Sequence, residues 1–164
     1  MAGFDTLRIH AGYDSKENAD SINVPIYQTA AFDLETIESA EKRWGLEEAS
    51  GIYTRIGNPT VWVLEKRIAA LDGGSAAVAF ATGMAAITNT LMLISEGVSG
   101  HIANIVAPTT LYGAAHDALT HFLPKFGIET RFVRDASKPE NFEKEIDINT
   151  RAIYLESISN PNAD

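Results

Sequence analysis

From Asn58 onward the chain alternates helix-period and strand-like segments, and this alternation restricts the fold more than any other feature. Asn58-Pro59 opens the series. Asn can accept from a free N–H at a helix start, and Pro fits the first turn, where its missing N–H would have no partner. Val61, Leu64, Ile68 and Leu71 recur at helical spacing, and Gly73-Gly74 ends the helix. Ala76–Ala81 reads as a buried strand, Met84–Ile94 as a helix, Asn104–Ala107 as a strand and Gly113–Phe122 as a helix. Ile128–Val133, Pro139–Ile146 and Ala152–Leu155 continue as strand, helix and strand. The apolar strands lack alternation, which suits a sheet covered on both faces. Strands alternating with helices predict an α/β fold with a largely parallel sheet.

Residues 1–58 differ. They are rich in Asn, Ser, Thr and Gly, and the one helix expected there spans Ile37–Trp44. The division expected is therefore an N-terminal arm and interface segment, residues 1–58, followed by the first part of a sheet domain, residues 59–164. Such an arm has little stability alone and packs on something else.

Composition removes several classes. Lys plus Arg is 13 against 22 Asp plus Glu, a net charge of −9. An acidic chain lacks the basic patch that nucleic acid or an anionic membrane requires. Cysteine is absent, which excludes disulfides, thiolate nucleophiles and Cys-based metal sites. No basic-then-apolar leader opens the sequence, and no apolar stretch is long enough to span a bilayer. Cytoplasm is the default expectation. His10, His101, His116 and His121 show no ligand spacing, so no metal site is expected.

Parallel α/β sheets bind ligands at the carboxyl ends of their strands. Three segments should meet there: Ala81-Thr82-Gly83, residues 108–112 and residues 156–160. Thr82-Gly83-Met84 starts a helix, where free N–H groups and the positive dipole end suit a phosphate; a plain capped turn reads the same way. No Gly-Lys-Ser/Thr follows, which excludes a Walker loop, and no G-x-G-x-x-G is present. Tyr53 and Arg55 lie in a Gly-bounded loop before Asn58. Arg suits bidentate phosphate binding, and a solvated loop Arg is the plainer alternative. Tyr112 could stack on a planar ring or simply close the sheet edge. Asn160 could donate to a ring oxygen and Glu156 could order its neighbours; an Asn-Pro turn ending a strand is the plainer reading.

Together these segments resemble one family in order and spacing, the pyridoxal-phosphate (PLP) enzymes of cysteine and methionine metabolism. Arg8–Gly12 resembles its "H-A-G" opening and Val24–Thr29 its "P-I-Y-Q-T" arm. Tyr53–Thr60 resembles "Y-[ST]-R-x-x-N-P-T", and Leu71–Gly74 resembles "L-E-G-G". Thr82–Ile87 resembles "[ST]-G-M-A-A-I", Leu111–Gly113 "L-Y-G", and Glu156–Pro161 "E-S-x-x-N-P". The resemblance implies a fold type I PLP-dependent transferase, present as its N-terminal arm and part of the mainly parallel sheet of its large domain, with the C-terminal part missing. Gly83 and Met84 would then bind the cofactor phosphate through backbone N–H groups. Tyr53 and Arg55 would reach the phosphate of a neighbouring subunit in a dimer of dimers. Tyr112 would stack on the pyridine ring and help move protons. Asn160 would bond the ring oxygen, with Glu156 beside it.

The branch most similar is O-acetylhomoserine sulfhydrylase, in which acetate leaves Cγ and sulfide or a thiol adds. Methionine γ-lyase and cystathionine γ-synthase activities are the alternatives. Leu111–Ala115 departs from "L-Y-G-G-T", which leaves substrate preference open. The expected covalent lysine in "S-x-T-K" is not matched by Lys16, Lys42, Lys66, Lys125, Lys138 or Lys144, and the Asp that pairs with the pyridine nitrogen also falls beyond Asp164. The stretch alone is therefore expected to be inactive, either part of an enzyme completed by another chain or a non-catalytic fragment that binds one. An unrelated nucleotide-binding α/β domain is the third possibility, weakened by the motif series.

Overall fold

The computed structural model describes residues 3–48, 50–96, 102–161 and 163. His101 lies outside them. The chain divides into two compact units, Met1–Ala79 and Phe80–Asp164.

In the first unit, helix α1 covers Phe4–His10, α2 covers Ile37–Trp44 and α3 covers Pro59–Asp72. Helix α2 spans the predicted residues; Thr36 caps it by accepting from the Ser39 N–H at 3.1 Å. Helix α3 also begins and ends as the sequence predicts. Asn58 accepts from the Thr60 N–H at 2.9 Å, and Gly73 closes it with φ +68°. The arm holds more structure than its composition suggests: α1 and a 3-10 turn at Ser15–Asn18 were not expected. Helix α1 packs along α3, because Gly12, at φ +76°, lets the chain approach α3 closely. A Cβ there would lie 2.7 Å from Lys66 Cβ and 2.9 Å from the Arg67 nitrogen. The Arg67 Nε then donates to the Ala11 carbonyl at 2.9 Å.

The second unit opens with α4, Gly83–Ser95, and contains strands β1 (Ala103–Pro108), β2 (Ile128–Val133) and β3 (Thr150–Ile153). All pairings are parallel, in the order β2-β1-β3. Between β1 and β2 lies α5, Gly113–Asp117, which continues as a π-turn to Phe122 and a 3-10 turn to Phe126. Helix α6, Pro139–Glu143, joins β2 to β3 and is shorter than expected. The parallel α/β reading thus holds, with one correction. Ala76–Phe80 is extended but joins no ladder among the described residues, and Val78 and Phe80 are exposed. A strand needs a partner backbone, whereas the Ala79 N–H donates to the Glu65 side chain at 2.8 Å.

Strand β1 is buried along its whole length, as a central strand covered on both faces should be. The flanking β2 and β3 are only partly buried. Leu91, Ile105, Ala107, Leu111, Leu119, Leu123 and Ile128 form the core, with Ile87 and Tyr154 packed against it. Among the described residues no helix is long and apolar enough to cross a membrane.

Candidate functional site

Helix α4 begins with an open N-terminus. The Thr82 hydroxyl accepts from the Ala85 N–H at 3.1 Å, and its carbonyl accepts from the Ala86 N–H at 3.2 Å. The N–H groups of Gly83 and Met84 are left outside the helix's own ladder. A Cβ on Gly83 would meet nothing within 4 Å, so the space over this turn is open. Helix α4 packs on both β3 and α5; the remaining candidates of this unit lie at the start of α5 and on the chain that leaves β3.

Tyr112 is the N-cap of α5 and stands 47% exposed. Its N–H donates to Glu156 Oε2 at 2.9 Å, and the Tyr154 hydroxyl donates to Glu156 Oε1 at 3.1 Å. Glu156 therefore ties the loop after β1 to the chain leaving β3, so two of the three predicted edge segments are joined by one carboxylate. Burial, with Glu156 adding to it, pushes the Tyr154 phenol up to about 12; it stays a proton donor throughout the neutral range. Asn160 lies on the same outgoing segment and is exposed. The sequence reading missed Tyr154. Its signal was the i, i+2 spacing to Glu156, which puts both side chains on one side of extended chain.

Tyr53 and Arg55 belong to the first unit. They border an open cleft of about 890 Å³ that Tyr27, Gln28 and Thr60 also line. The Arg55 guanidinium sits 5.6 Å from the centre of the Tyr53 ring, a cation–π distance that brings the two predicted residues together. The loop is held by side chains bonding to the backbone of the arm. Asn58, 4% exposed, donates through Nδ2 to the Tyr27 carbonyl at 2.9 Å and to Thr54 Oγ1 at 3.1 Å. Thr60 Oγ1 donates to the Pro25 carbonyl and accepts from the Tyr27 N–H, both at 2.9 Å. The Thr54 hydroxyl donates to the Thr29 carbonyl. Ala31 and Tyr53 form an antiparallel bridge, supported by Thr54 N–H to Ala30 O at 2.8 Å. The "N-P-T" and "P-I-Y-Q-T" segments thus read as two halves of one zipper, with Asn58 both helix cap and arm anchor. Gly57 makes room for the Trp62 ring, which a Cβ at 2.7 Å would displace.

Residues 5–164 match the family model described as Cys/Met metabolism PLP-dependent enzyme. An L-methionine gamma-lyase of Fusobacterium nucleatum subsp. nucleatum is 42% identical over 161 residues, 98% of this chain and 39% of the relative. An O-acetyl-L-homoserine sulfhydrylase of Corynebacterium glutamicum is 40% identical over 162 residues, 99% of this chain and 36% of the relative. A solved structure from Campylobacter jejuni, carrying N′-pyridoxyl-lysine-5′-monophosphate at its position 205, superposes with a TM-score of 0.88 at 37% identity. It is covered over 39% of its length and this chain over 100%. The chain thus spans well under half the length of these relatives, and its architecture is the N-terminal arm and first sheet segment of a fold type I enzyme. It belongs to the PLP-dependent enzymes of cysteine and methionine metabolism.

Proposed function

We propose that this chain contributes the cofactor-binding N-terminal part of an enzyme that replaces the acetate of O-acetylhomoserine with sulfide or a thiol. The reaction takes O-acetylhomoserine and sulfide to homocysteine and acetate; with methanethiol the product is methionine. The observation that carries the reading is the open N-terminus of α4 on the same packed unit as the Tyr112–Glu156 pair. Two free N–H groups at the positive end of a 13-residue helix fit a phosphate dianion. A half-exposed phenol on an adjoining helix fits a flat ring. The residues present therefore fit pyridoxal phosphate.

When bound, the cofactor supplies an electron sink for the pair left on breaking a bond to the substrate's α-carbon. Gly83 and Met84 would hold its phosphate through their N–H groups. Tyr112 would cover one face of the ring and hold or pass a proton at its phenol oxygen. Asn160 would donate its amide N–H to the ring oxygen. Arg55, with Tyr53 against it, would reach the phosphate of a second copy of the protein, which makes a homo-oligomer, in the family pattern a dimer of dimers, part of the proposal. The arm, residues 1–58, would serve that interface, and residues 59–164 the cofactor domain. None of the six lysines suits covalent attachment, and the related structure carries its modified lysine at position 205. Attachment is accordingly assigned to a lysine outside these 164 residues.

The L-methionine gamma-lyase among the relatives favours γ-elimination as the second reading. Both are tested by incubating the complete protein with pyridoxal phosphate and either substrate pair. Homocysteine and acetate in equal amounts from O-acetylhomoserine and sulfide support replacement. Methanethiol released from methionine, with no homocysteine formed, supports elimination. Neither product overturns both.

A further inference from the structure

We infer that Tyr154 and Glu156 act as a clamp that sets the position of Tyr112, and that both are positioning residues for the reaction. The inference rests on the reading of Tyr112 as a residue facing the cofactor. Tyr112 stands at the N-cap of α5, where no side chain of its own turn caps the helix. A helix start wants an acceptor and a negative charge. Glu156, 44 residues later, supplies both at 2.9 Å from the Tyr112 nitrogen. It thereby performs from the chain that leaves β3 what a capping-box glutamate performs locally.

The carboxylate is itself held. Its second oxygen accepts from the Tyr154 hydroxyl at 3.1 Å. Tyr154 is fixed in turn by its backbone N–H, which donates to the Val106 carbonyl at 2.9 Å, and by packing on the core. A continuous chain of bonds therefore runs from the backbone of β1 through Tyr154 and Glu156 to the Tyr112 N–H. With both carboxylate oxygens engaged, Glu156 cannot rotate without releasing the Tyr112 loop. Tyr112 is nearly half exposed, so burial alone does not fix its side chain. A phenol meant to cover a ring and handle one proton needs its position held to fractions of an ångström. The Tyr154 phenol is protonated at neutral pH, so its donor is in place there.

The test uses the complete protein with Glu156→Ala, Glu156→Gln and Tyr154→Phe. In the cofactor-free protein, amide exchange of the peptide containing Tyr112 should be about tenfold faster in Glu156→Ala and close to wild type in Glu156→Gln, which keeps the accepting oxygen. At saturating cofactor, kcat per bound cofactor should fall about tenfold or more in Glu156→Ala and about threefold in Tyr154→Phe, with KM within about twofold. Unchanged exchange at Tyr112 in Glu156→Ala would overturn the clamp. So would a loss of rate that lower cofactor occupancy accounts for entirely. Should Glu156→Ala fail to fold, Tyr154→Phe carries the same test. Tyr112→Ala, which removes both the ring and the phenol, separates the two levels. If it keeps full kcat, the reading of the site falls and the clamp with it. If it loses rate while Glu156→Ala does not, only the clamp is wrong.

Discussion

Asn104 has no exposed surface, and its amide gathers the edge of the sheet opposite the candidate site. Its Nδ2 donates to Asp147 Oδ1 at 2.9 Å, and its Oδ1 accepts from the Thr150 hydroxyl at 2.7 Å. Arg131 completes the group with a 2.8 Å bond to Asp147 Oδ2. The Asn104 amide, with the Asn149 N–H and Arg131, holds the Asp147 carboxyl down at about 2, against an ordinary 3.8. A carboxyl lowered on folding adds stability that is complete above its unfolded value and is lost as pH falls through its folded one. Stability should therefore decline from about pH 4 toward pH 2, and Asp147→Asn should flatten that part of the curve in denaturant titrations across pH 2–5. Asn104→Ala removes the bonds to Asp147 and Thr150 from a fully buried position and should cost about 2 kcal/mol, read as a shift in the unfolding midpoint. This group was not legible before the fold was known. Asn104, Arg131 and the Asp147–Thr150 turn are separated by tens of residues or nearly so, and the parallel register brings them together.

At the scale of elements, caps and glycines were the legible part. Asn58-Pro59, Gly73 and Thr82 marked helix ends correctly because capping is a local bond between near neighbours. The strand expected at Ala76–Ala81 was not realised, since strand formation depends on a partner that local sequence cannot specify. The arm's helix α1 was missed because a seven-residue helix carries too little periodicity and is held by packing on α3. That packing depends on Gly12. Gly12→Ala places a methyl against α3 at a positive φ and should cost about 1–3 kcal/mol, with amide exchange rising first in residues 4–10. Asn58→Ala removes a helix cap and the Tyr27 and Thr54 bonds together. It should lower stability by about 1–2 kcal/mol and open residues 25–30 to proteolysis, carrying Tyr53 and Arg55 with them.

At the scale of the whole molecule, the motif series was informative because each motif is a place where backbone meets backbone or ligand: Gly12 on α3, Thr60 on the arm, Gly83 under open space. The way Glu156 reaches Tyr112 was not legible, because it spans two connections of the sheet. The described residues leave β2 and β3 each paired on one side only, and Ile148, Val78 and Ile22 are among many exposed apolar side chains. Free strand edges and apolar surface drive association. The 164-residue polypeptide produced by itself should therefore elute as large species in size-exclusion chromatography with light scattering, while a stable monomer would show that these surfaces are covered within it.

In the proposed holoenzyme the start of α4 would hold the phosphate of pyridoxal phosphate and Tyr112 would cover its ring. A crystal structure of the complete protein with the cofactor tests this arrangement directly. Phosphate oxygens are expected within hydrogen-bond distance of the Gly83 and Met84 N–H groups, with the Tyr112 ring parallel to the pyridine. A phosphate bound away from α4, or a Tyr112 ring turned from the cofactor, would contradict it.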